Sequence, residues 1–166
     1  MARLLRRAGR LSAEGYAGAI YGTIVATAVI AGLSEDDEVS STDMVLGTLG
    51  TTIVFWIAHV YARILGERAE RGAAPTRAQV RAVARNEWPM IESGALIAAP
   101  ALLAALGVWS RDFGANLAVA LGVAILFGVG ILFARREGLG WGGALLAATI
   151  NGLLGALIVV LKTLVH

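Results

Sequence analysis

Five apolar runs, each close to the length of a membrane span, divide this chain, and the charged residues collect between them. The runs cover 16–33, 44–65, 90–108, 115–133 and 142–165. A helix crossing a bilayer needs about 20 mostly apolar residues. None of the runs alternates apolar with polar positions as a barrel strand would. A helix also satisfies its own backbone hydrogen bonds, which hydrocarbon demands. The pattern predicts an all-α polytopic membrane protein, a single membrane domain over 1–166 with five transmembrane helices.

Composition strengthens that reading. Of the 166 residues, 57% are hydrophobic and 16% charged, against about 25% charged in an average soluble domain. The mean hydropathy is +0.73. A small soluble domain keeps too much of its surface wet to hide this apolar content. With no cysteine there is no disulfide scaffold, thiolate nucleophile or cysteine metal site.

The basic residues set the orientation. With the N-terminus inside, Arg3, Arg6, Arg7, Arg10, Arg63, Arg68, Arg71, Arg77, Arg81, Arg85, Arg135 and Arg136 fall on the cytoplasmic side. Of the 14 basic residues only Arg111 and Lys162 fall outside. The acidic loop Ser34–Asp43 then faces outward, and the topology is N-in, C-out. The start of the chain resembles a secretory signal in its basic residues and apolar run. That run is long and Ala31-Gly32-Leu33 lacks the small-x-small cleavage pattern, so it reads as a retained first span. A formal net charge of +2 and no basic–aromatic interleaving exclude a nucleic-acid surface.

Two segments predict short interfacial helices. In the cytoplasmic link 66–89, Pro75 is placed to open a helix, and Arg77, Arg81 and Arg85 share one face with Val80, Ala84 and Trp88 on another. Met1–Leu11 repeats the pattern. Arginines so placed suit anionic lipid head groups on the cytoplasmic side, and equally serve as topology anchors.

Small residues at four-residue spacing mark close helix contacts. Gly18, Gly22 and Ala26 form such a row in the first span, Ala120, Ala124 and Gly128 in the fourth, and Gly143, Ala147, Asn151 and Gly155 in the fifth. They predict a homo-oligomer with the first or fifth span at its interface. Pro100 interrupts the third span and predicts a kink.

Ionisable or polar residues at membrane depth are the candidate ion or proton pathway. His59 lies about 9 Å inside the second span at 1.5 Å per residue. Arg63 and Thr52 share its face, and Tyr61 points elsewhere. Glu92 enters the third span at comparable depth and is expected to pair with Arg63 or His59. Asn151 lies deeper, in the fifth span. The same residues also admit structural roles: Asn151 as interhelical glue, Glu92 beside a positive helix end. Glu87, Trp88 and Pro89 read as helix initiation. No catalytic residue set, metal site or cofactor is expected, and the protein is not read as an enzyme.

The run Phe55-Trp56-Ile57-Ala58-His59-Val60-Tyr61-Ala62, followed by Leu65-Gly66-Glu67, resembles small integral membrane proteins of high-GC Gram-positive bacteria. Gly18-Ala19-Ile20-Tyr21-Gly22-Thr23 adds to the likeness. The resemblance implies a bacterial inner-membrane location, points to His59 and Tyr61, and carries no activity. The function expected is small-ion transport by a homo-oligomer, as a channel or proton-coupled carrier. The alternative is a non-transporting scaffold or accessory subunit.

Overall fold

A computed structural model describes residues 13–164, with side chains described except at 13, 14, 71, 151 and 154–164. The described residues form six helices: α1 Ala13–Leu33, α2 Ser41–Arg71, α3 Arg77–Asn86, α4 Pro89–Ala105, α5 Arg111–Arg136 and α6 Trp141–Leu164. There is no strand among the described residues. Among the described residues, four helical stretches are long and apolar enough to cross a membrane: Gly15–Leu33, Ser41–Glu70, Arg77–Ala105 and Arg111–Arg136. The third takes in both α3 and α4. The expected amphipathic segment Met1–Leu11 lies outside the described residues.

Local chemistry fixes the helix ends. Ser40 and Asp43 form a reciprocal capping box at the start of α2, and Thr76 and Gln79 form another at α3. Ser110 Oγ accepts from the Phe113 amide to open α5. Pro89 occupies the first turn of α4, where its missing N–H costs nothing.

The link 66–89 is less open than the apolar pattern implied. Helix α2 runs on to Arg71, because Glu67–Arg71 are polar helix formers that continue the helix beyond its apolar stretch. It stops at Gly72, whose φ of 65° is available without strain to a residue lacking Cβ, and whose N–H caps Arg68 O. At 31 residues, α2 is about 46 Å long, well beyond a hydrocarbon core of about 30 Å.

Helix α1 is central, packing against α2, α4, α5 and α6, while α5 and α6 form a close pair. The core gathers Ala26, Ile30, Met44, Ile97, Ala118 and their neighbours. Small and hydroxylated residues share the interior with a few large apolar ones, and many large apolar side chains lie outside. Thr23, Thr27, Thr48 and Thr52 are buried, whereas Leu46, Val54, Ile57, Leu102, Leu146 and Ile150 are exposed. In water such a surface would aggregate. Against lipid tails it costs nothing, and helix association must come from close backbone approach and polar bonds.

That approach occurs at several glycines, Gly22, Gly94, Gly122 and Gly130 among them. A Cβ at Gly22 would lie 2.4 Å from Met90 O, and one at Gly94 2.6 Å from Thr52 Cγ2. At Gly122 it would meet the Thr27 side chain, and at Gly130 it would lie 2.6 Å from Ala148 Cα. Each lies far inside ordinary van der Waals contact, so each glycine is a notch filled by the neighbouring helix.

Candidate functional site

The polar site forms where α3 gives way to α4. Glu87 terminates α3, its N–H bonded to Val83 O at 3.1 Å, and Met90 N–H returns to Glu87 O at 3.0 Å. This holds the carboxylate between α1 and α2. Gly18 on α1 lets it come close: a Cβ there would stand 3.2 Å from Glu87 Oε2. From α2, Arg63 Nη1 donates to Glu87 Oε1 at 2.7 Å. The Glu87 side chain is 3% exposed and that of Arg63 32%, so the carboxylate is enclosed while the guanidinium reaches the surface.

Aromatic side chains surround the pair. The His59 ring lies 5.2 Å from that of Tyr21, which also meets Phe55 at 5.8 Å. Trp56 Nε1 donates to Ala84 O on α3 at 3.2 Å, and the Trp56 ring meets Trp88 edge to face. At the same end of the bundle Arg136 donates to the Tyr16 hydroxyl at 2.8 Å, and Arg135 lies over the Trp141 ring. Arginine and aromatic residues together at one level are what a lipid–water boundary selects.

The sequence leads one to expect Glu92 to pair with Arg63 or His59; the structure seats a second carboxylate, Glu87, against Arg63. This buried acid is the residue that the sequence reading took as a helix starter. Glu92 is exposed, because it stands about 200° around α4 from Met90, which faces the core. Glu87 precedes α4, so no helical phase in the sequence marked it as the inward acid.

Thr52 is buried in the Gly94 notch, its hydroxyl donating to Thr48 O at 2.7 Å. Thr27 and Thr23 bond back in the same way to Thr23 O and Ala19 O. Thr48 Oγ1 is buried without a partner among the described residues. Thr23 and Thr27 belong, with Ala19 and Ala31, to a second small-residue row that the sequence shows in the first span; Thr48 escaped the sequence reading, and its four-residue spacing from Thr52 was the available signal.

The glycines Gly18 and Gly22 face Glu87 and Met90 of the same chain. They therefore serve helix contacts within the chain, and a first-span interface with a second copy would have to use another face of α1. Gly143 is half-buried beside Leu139, and Ala147 presents its carbonyl to Gly130. Asn151 and Gly155 lie on α6 outside the residues whose side chains are described. Ala120, Ala124 and Gly128 on α5 are exposed. Pro100 is buried in α4, and its carbonyl accepts from Trp109 Nε1 at 2.9 Å.

At the opposite end, Arg111 holds the 34–40 loop. Its Nε donates to Val39 O at 2.7 Å, and its Nη2 to Ser34 O at 3.2 Å and to Asp36 O. Asp112 takes Nη1 at 2.9 Å. A cavity of about 340 Å³ opens here, lined by Ser34, Glu35, Asp37, Arg111, Asp112 and Asn116. Among the described residues, no group of His, Asp or Glu side chains is placed to hold a metal ion.

Arg77, Arg81 and Arg85 are all exposed along α3. Comparison of the chain with protein-family models, curated proteins and solved structures gave no match.

Proposed function

We propose that this chain is a bacterial inner-membrane protein that works as a non-transporting scaffold or accessory subunit. In this reading α1, α2, α4, α5 and α6 each cross the membrane, N-in and C-out, as twelve of the 14 basic residues on one side require. The observation that carries it is the packing at Gly22, Gly94, Gly122 and Gly130. Helices meet there with no room for a methyl group, which leaves no open space between them at these levels. The long α2 and the capped α3 then form a platform held at the cytoplasmic boundary. Self-association would use the exposed Ala120, Ala124 and Gly128 row of α5, and disulfide cross-linking from Ala124→Cys tests that contact. Reconstitution into liposomes tests the function. Proton, potassium and sodium fluxes should match those of protein-free vesicles, and a protein-dependent flux overturns the reading.

Transport by a homo-oligomer is the second reading. It is favoured by the enclosed Glu87 carboxylate held by Arg63 and by the neighbouring His59, since an ionisable group at membrane depth is a candidate for an ion or proton route. Its route would run between protomers or open by movement of α4 at Pro100. A flux abolished by Glu87→Gln would establish it in place of the first.

A further inference from the structure

Helix α3 has three features that a connecting helix does not require. Its ten residues carry Arg77, Arg81 and Arg85 and no acid. Steps of four residues turn 40° beyond a full circle, so the three arginines occupy an arc of about 80°. All three are exposed. The preceding end of α2 carries Glu67, Arg68, Glu70 and Arg71, whose charges cancel, so the excess positive charge belongs to α3 itself.

The opposite side of α3 is anchored. Val83 is buried and Ala84 O is held by the Trp56 indole, which projects from the apolar part of α2. Trp88, just beyond the helix, is 46% exposed and stacks edge to face on Trp56. The helix therefore sits at the level of the tryptophans, where α4 begins its apolar course. Arg135 and Arg136 belong to the same end of the bundle.

We infer that α3 is a docking surface for anionic phospholipid, with the guanidinium groups of Arg77, Arg81 and Arg85 bound to lipid phosphates. Three observations select lipid over a soluble polyanion. The helix is tied to Trp56 in the apolar part of α2, Val83 on the side away from the arginines is buried, and the apolar Val80 and Trp88 are exposed on the same short segment as the arginines. An arginine fork matches phosphate in a way that lysine does not, and the sole lysine of the chain is Lys162. The inference is independent of whether the bundle transports.

The test is native mass spectrometry of the full chain released from nanodiscs containing phosphatidylcholine with about one third phosphatidylglycerol. Wild type should retain phosphatidylglycerol in preference to phosphatidylcholine. Each Arg→Gln change should lower that preference about fivefold. The triple variant R77Q/R81Q/R85Q should abolish it, the triple Arg→Lys variant should retain part of it, and R135Q/R136Q should leave most of it. Helical circular dichroism of each variant, matched to wild type, confirms that folding is preserved. Equal retention of both lipids by wild type, or unchanged preference in the triple glutamine variant, overturns the inference. So does capture of a short oligonucleotide through α3 with no lipid preference, which would assign the face to a soluble polyanion.

Discussion

Arg63 on α2 closes over the carboxylate of Glu87 at 2.7 Å, joining the second helix to the hinge between α3 and α4. The two partners are not equivalent, since the acid is enclosed and the base reaches the surface. Removing Arg63 leaves a charge buried without compensation, whereas removing the charge of Glu87 leaves a guanidinium with access to solvent.

Arg63→Ala is therefore expected to destabilise the protein more than Glu87→Gln. Losing one partner of a fully buried pair costs about 3–5 kcal/mol. With Arg63 about a third exposed, screening reduces this to about 1–3 kcal/mol. Unfolding of both single variants and the double variant in detergent micelles measures it. The double variant should be less damaged than the sum of the singles.

The glycine notches differ in what fills them. Gly22→Ala and Gly130→Ala confront backbone atoms of Met90 and of Ala147 and Ala148, so whole helices must separate. Each should cost about 1–3 kcal/mol. Gly122→Ala confronts the Thr27 side chain, and the companion change Thr27→Ala should restore much of the loss. Gly128→Ala faces open space and should be neutral in a monomer. Thermal unfolding in micelles ranks the four.

Arg111 gathers carbonyls from three positions of the 34–40 loop. Arg111→Ala should release that loop, seen as faster amide exchange over residues 35–39 with little change in α2. Arg111→Lys should not rescue it. An ammonium on a flexible stem cannot reproduce the planar fork that serves Val39, Ser34 and Asp36 together.

The proposed topology is checked by labelling, which the absence of native cysteine makes clean. With impermeant thiol reagent on intact cells, Ser41→Cys should label and Ala73→Cys should not until the membrane is opened. Labelling at Ala73 alone would reverse the orientation.

The order of helices and several of their ends were legible in the amino-acid sequence. Apolar run length marks a span because hydrocarbon forces the backbone to bond within its own helix. Arg77, Arg81 and Arg85 declared their shared face because 3.6 residues per turn fixes azimuth within a helix. The Thr76–Gln79 box was equally legible from its spacing. What only the tertiary structure decided is which face of each helix looks inward. In a soluble protein the apolar stripe gives that answer; here lipid makes nearly every face apolar, leaving only small and polar residues as signals. Those signals are ambiguous, because a glycine row serves a neighbour in the same chain as readily as one in another. So Gly18 and Gly22 proved to belong to Glu87 and Met90, and Glu87, which lies outside any helical phase, became the acid that Arg63 holds.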